Sequence, residues 1–100
     1  MLTLPIKKKW FDMIKSGEKK EEYRELKPYY HRRFTYFDED LSEALIKGAM
    51  QIIFRNGYRK DSPKIKCLVN IDIGSGNSEW GAIPNKEYYV LKILSIEEVK

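Results

Sequence analysis

The sequence predicts an α+β fold, a small β-barrel with helices packed on one side, formed as a single domain over residues 1–100. Three observations carry this. Ile65, Cys67, Val69, Ile71 and Ile73 form an unbroken alternate apolar row, with Lys66, Asn70 and Asp72 on the opposite face, as in a strand that is dry on one side only. Trp10, Phe11, Met13 and Ile14 recur instead at helical spacing, and Gly17 follows at the position where helices commonly end. The second half of the chain is rich in strand signals, while helical signals are confined to the first. A chain of 100 residues builds one core without covalent staples and is far too short for a (β/α)₈ barrel of roughly 250 residues.

In chain order, Leu2, Leu4 and Ile6 alternate with Thr3 and Pro5, and a proline inside a strand points to a sheet edge. A helix follows over residues 7–16. Beyond Gly17, residues 19–26 lack an apolar stripe and read as a strand, with Lys20, Glu22 and Arg24 on one face and Glu21, Tyr23 and Glu25 on the other. Pro28 opens a second helix through an aromatic and basic stretch ending at Phe37. Residues 38–48 carry acids first, then Lys47 and Gly48, the end signals of a third helix. Residues 50–54 form a strand, Asn56-Gly57 is a hairpin-turn pair, and the strand 65–73 comes next. Gly74 to Ser78 loosens the chain, Pro84-Asn85 marks a turn, and residues 88–96 supply a last strand rich in Tyr, Val, Leu and Ile. Strands with one apolar and one polar face imply a curved antiparallel sheet closing on a core.

Charge is unevenly spread. The net +4 divides into +5 over residues 1–36, −3 over 37–54, +4 over 55–66 and −2 over 67–100. Two basic blocks separated by an acidic one suit a surface that attracts phosphates; the competing reading is solvated charge on a small domain. Cys67 is the only cysteine, which excludes an intrachain disulfide and a cysteine zinc site and fits a reduced, cytoplasmic setting. Lys7 interrupts the N-terminal apolar residues before any signal-peptide core, and no window of about eighteen residues is apolar enough to span a membrane.

Chemistry concentrates after the first helix, in Gly17-Glu18-Lys19-Lys20-Glu21-Glu22-Tyr23-Arg24. On a strand, Glu22 and Arg24 stand side by side, and Lys19 at the bend reaches the same space. A lysine desolvated there titrates low enough to act as base or nucleophile, with Glu22 as its partner. The competing reading is an exposed charged strand. Gly17-x-Lys19-x-x-Glu22-x-Arg24 resembles the GxKxxExR signature of the ASCH domain family, relatives of PUA domains, and the order of elements is similar along the whole chain. The resemblance implies a PUA-like β-barrel whose cleft, lined by the signature residues, binds RNA or a modified nucleoside. It also implies an alternative, since some members hydrolyse the acetyl group of N4-acetylcytidine with the signature Lys, here Lys19, assisting a Thr. Glu22 occupies the position of that Thr, and Thr35 lies outside the motif. Glu79 is available for the further Glu those enzymes use. Ribonuclease activity is a third expectation attached to the family.

A second candidate mixes rings and cations: Tyr29, Tyr30, Arg32, Arg33, Phe34, Tyr36 and Phe37, together with Arg55, Tyr58, Arg59 and Lys60. Single-stranded RNA is held by such pairs, cations for phosphates and rings for bases. Core packing is the alternative for Tyr29, Phe34 and Phe37. His31, beside two arginines, is expected at the surface, Cys67 and Trp10 in the core, and Trp80, after a Gly-rich loop, is available to stack on a ligand. Metal-ligand, calcium-loop and nucleotide-loop spacings are missing, so no cofactor is expected. The sequence thus assigns ligand binding to Lys19, Glu22, Arg24, Arg32, Arg33, Arg55, Tyr58 and Arg59, with Lys19 and Glu22 catalytic in the enzyme reading. Arg24→Ala is expected to weaken binding without unfolding the chain.

Overall fold

In the computed structural model, which describes residues 1–98, the chain runs β1 (Leu2–Ile6), α1 (Lys8–Lys15), β2 (Glu21–Arg24), α2 (Pro28–Phe34), β3 (Thr35–Asp38), β4 (Glu43–Ile46), β5 (Ala49–Asn56), β6 (Lys64–Ser75), a 3₁₀ turn (Ser78–Trp80) and β7 (Glu87–Glu98). Val99 and Lys100, the end of the expected domain, lie outside the described residues. The fold is α+β and mostly sheet. Five strands in the order β1-β5-β6-β7-β2 curl into a half-barrel, and β3 and β4 form a separate hairpin.

The alternate apolar row on β6 meets its counterparts across the sheet. Cys67 lies opposite Ile52, Ile65 opposite Phe54, and Ile71 opposite Leu91, so this face is buried from Ile65 to Ile71, while Ile73 at the end of the expected row is 42% exposed. Phe11 and Ile14 of α1 and Phe34 of α2 join that cluster, which places both helices on the sheet face that carries the core. The sheet is not wholly antiparallel as expected: β1 runs parallel to β5, because α1, β2, α2 and the hairpin intervene and supply the crossover. Pro5 does sit on an edge strand.

Curvature has a readable cause. Arg24 on one edge aligns through Tyr89 with Ile73 of β6, whereas Pro5 on the other edge aligns through Arg55 with Lys64. The Arg24 guanidinium nonetheless donates to the Pro5 carbonyl at 3.0 Å. Edges aligned with such distant points of β6 meet only if the strands tilt strongly, as in barrels. A bulge helps: Val69 pairs with Ile93 and Leu68 with Ser95, leaving Leu94 as the extra residue.

The helix expected over residues 38–48 is instead the β3–β4 hairpin. The Asp38 carboxylate accepts from the Leu41 amide at 3.0 Å, and Ser42 takes a left-handed φ of 53°. The same short acid that caps a helix thereby closes a turn. Phe37 then lies opposite Ala44, and Tyr36 opposite Leu45. Other boundaries move less. α2 ends at Phe34, β2 is four residues long with Lys20 exposed before it, and residues 57–63 form a loop where a two-residue turn was expected.

Candidate binding cleft

Gly17, in the left-handed region with φ 84°, ends α1 and reverses the chain. The Gly17 amide bonds to the Ile14 carbonyl and the Lys19 amide to the Met13 carbonyl at 2.9 Å, which turns the Lys19 side chain inward. Its ammonium donates to the Trp80 carbonyl at 2.6 Å, lies 3.2 Å from Glu22 Oε1, and sits 4.9 Å from the ring centres of both Trp10 and Tyr23. Lys19 is 1% exposed and Glu22 7%, which rules out the exposed charged strand.

Glu22 and Arg24 share the inward face of β2, opposite Leu91 and Tyr89. Glu22 Oε2 accepts from Arg24 Nη2 at 2.8 Å, so each carboxylate oxygen meets one cation. Arg24 also donates to the Tyr30 hydroxyl at 3.2 Å, and its Nε is buried without an acceptor in the protein. Burial pulls the Lys19 pKa below its ordinary value, and the Arg24 charge adds to this while Glu22 opposes it. Burial acts the same way on Arg24, but Glu22 and Tyr30 outweigh it and its pKa rises.

The segment after β6 completes the site. The Tyr23 hydroxyl donates to Glu21 at 2.7 Å and accepts the Asn77 amide at 2.8 Å, and the Asn77 side chain accepts from the Glu79 amide. That loop sets the Trp80 carbonyl over Lys19. Gly81 follows with φ 100°, and a Cβ there would lie 3.0 Å from the Trp10 indole, so glycine is needed for both the backbone and the ring.

The result is a cleft of about 360 Å³. Trp10, Tyr23, Tyr30, Trp80 and Tyr88 give it aromatic walls, Glu22 and Arg24 are its buried charges, and Glu25, Lys27 and Lys86 also line it. Lys19 is absent from the lining, sealed behind Trp10, Tyr23 and Trp80. The structure therefore brings Lys19, Glu22 and Arg24 together, and of these only Glu22 and Arg24 face the cleft.

The other five assigned residues do not line it. Arg32 is exposed on α2, and Arg33 stacks 3.5 Å from the Tyr29 ring. Arg55 donates to the Gly57 carbonyl, while Tyr58 (85% exposed) and Arg59, 3.6 Å from Asp61, occupy loop 57–63. Of the three rings for which core packing was the alternative, Phe34 is buried, but Tyr29 and Phe37 are exposed. His31 is exposed with Nδ1 2.6 Å from the Tyr89 hydroxyl, Glu79 is exposed, and Cys67 is core, its thiol pushed up to about 11 by burial. Trp10 departs from its expected core position, because the end of the helical stripe faces Gly81 and Lys19 rather than the sheet. Tyr30, expected in the separate ring-and-cation cluster, lines this cleft instead, and Tyr88, Lys27 and Lys86 join it without any signal in local spacing, since only long-range folding gathers them.

Among the described residues no group of three or more His, Cys, Asp or Glu side chains is gathered to hold a metal, and no helix is long and apolar enough to cross a membrane. No protein-family model, curated protein or solved structure matches this chain.

Proposed function

We propose that the cleft binds a nucleobase, presented by RNA or as a modified nucleoside. The observation that carries this is Glu22, a carboxylate held between two cations at the base of an aromatic-walled cleft. A carboxylate has about four acceptor positions, and two are taken here, which leaves acceptors for the amino or imino N–H groups of a base. The rings supply stacking surface, and Lys27 and Lys86 supply charge for phosphate. The cleft's size suits one nucleoside. In this reading the half-barrel is a PUA-like domain of the ASCH type acting on RNA in the cytoplasm, supported by Gly17, Lys19, Glu22 and Arg24 in the signature spacing. Lys19 serves as a positioning residue that fixes the carboxylate.

Trp10 and Trp80 report on the test. Titrating cytidine, N4-acetylcytidine, uridine and a short single-stranded RNA against tryptophan fluorescence should show saturable quenching, weakened roughly tenfold by Glu22→Gln. Lys86→Ala should weaken RNA binding and reduce its salt dependence. Absence of saturation with all four ligands would sink the reading.

A second reading, amide hydrolysis on an N4-acylated cytidine, rests on Glu22, whose carboxylate lines the cleft while Lys19, 3.2 Å away, holds it from behind. Its mark is acetate release from N4-acetylcytidine that Lys19→Met abolishes; binding without turnover leaves the first reading in place.

A further inference from the structure

β7 is longer than the strand beside it. β2 pairs with it from Tyr89 to Lys92, and the last rung on that side is the Ile93 amide donating to the Lys20 carbonyl at 2.9 Å. Before Lys20 the chain turns away toward Gly17 and α1. From Leu94 onward no strand among the described residues pairs that side of β7, while β6 pairs the other side as far as Glu98. An edge of free N–H and C=O groups is a template for another strand.

Three features mark this edge. A groove of about 220 Å³ runs along it, between Gly17 and Lys20 on one side and Ile93, Leu94, Ser95 and Ile96 on the other. Leu94 and Ile96 are 56% and 38% exposed. Exposed Lys20 and Lys92 stand at one end of the free stretch, with exposed Glu18 near Lys20 and Glu21 in register with Lys92, and exposed Glu97 stands at the other end. Glu97 has a partner in Lys66 at 3.5 Å, yet its side chain stays 71% exposed.

We infer that the edge of β7 beyond Lys92 is a self-association surface, on which a second copy of the chain adds its own β7 edge antiparallel about a two-fold axis. Antiparallel pairing brings Glu97 of each copy toward Lys20 and Lys92 of the other, whereas parallel pairing sets like charge against like. Both halves of the charge pattern lie on the same edge, which is what a self-complementary contact requires. The stretch is about five residues, so the contact falls below the ~800 Å² per partner of a stable interface and forms at high concentration. Nothing in it depends on the cleft's ligand.

Sedimentation equilibrium from about 10 µM to about 1 mM tests this. The weight-average mass should climb from 11.9 kDa toward twice that value. Lys20→Glu and Glu97→Lys should each weaken the dimer roughly tenfold, since every contact occurs twice, and the double reversal should restore part of the loss, Lys92 being unchanged. Amide shifts on dilution should be confined to residues 18–20 and 93–97. A monomer at every concentration overturns the inference. So does a dimer indifferent to both reversals, or dilution shifts centred on Tyr36, Phe37 and Leu41 of the β3–β4 hairpin. Shifts at 93–97 that require an added extended peptide would assign the edge to a foreign strand and overturn self-pairing as well.

Discussion

Lys19 keeps an ammonium where water does not reach, and its surroundings show what makes that tolerable. A carbonyl, a carboxylate oxygen and two ring faces replace the lost hydration. The alternation Lys19–Glu22–Arg24 leaves no charge in the row without an opposite neighbour. Cys67 shows burial acting on a neutral group. Its thiol titrates at about 11 instead of the ordinary 9.0 because an apolar core penalises the thiolate. Above pH 9 the unfolded chain releases this proton while the folded chain holds it, so stability falls as pH rises, until the folded thiol also ionises near 11. Urea unfolding of wild type and Cys67→Ala at intervals from pH 8 to 11 should show the difference between them shift by roughly 2–3 kcal/mol, wild type losing more. A constant difference would mean that the thiol ionises normally. At this scale the sequence was informative: Gly17, Lys19, Glu22 and Arg24 are near neighbours in the chain, and one bend followed by one strand is enough to assemble them.

Elements are positioned by close approach as much as by hydrogen bonds. The loop joining β6 to the 3₁₀ turn passes so near β2 that a Cβ on Gly76 would stand 2.6 Å from both the Tyr23 ring and the Ala82 side chain. Gly76→Ala should cost about 2–3 kcal/mol from overpacking. It should also move the Trp80 carbonyl off Lys19, which a change in tryptophan fluorescence would report; unchanged stability and emission would mean that the loop has room to shift. The β3–β4 hairpin teaches a different lesson. Its acids, lysine and glycine stand in the order of a helix, but those signals specify ends and turns, which helices and hairpins share. Four residues on either side of a turn give too short a window for period to decide. Pairing of Phe37 with Ala44 and Tyr36 with Leu45 decides it instead.

For the molecule as a whole, Arg24 is the side chain that ties the open half-barrel across its gap. It leaves one edge strand, β2, and reaches a carbonyl of the other, β1, while also holding Glu22 and Tyr30. Removing it takes away that tie and half of the compensation for a buried carboxylate. Arg24→Ala should therefore lower stability by about 3 kcal/mol or more, visible as a lower urea midpoint, in contrast to the sequence-based expectation of weakened binding alone. A midpoint unchanged from wild type would show that the edges hold without the tie. Binding is better probed at Glu22 and Lys86, which line the cleft and do not join the two edges.

The amino-acid sequence by itself determined the α+β class, the long strands, the glycine that ends α1 and the company of Lys19, Glu22 and Arg24. All of these rest on spacing within a few residues, where backbone period and side-chain type act directly. Tertiary structure alone decided that β1 runs parallel to β5, that the edges are linked through Arg24 and Pro5, that Lys19 is walled off while Glu22 faces the cleft, and that Trp10 and Tyr88 join its lining. Those outcomes depend on strand tilt and on contacts between residues distant in the chain, which packing of the whole core selects and no local spacing encodes.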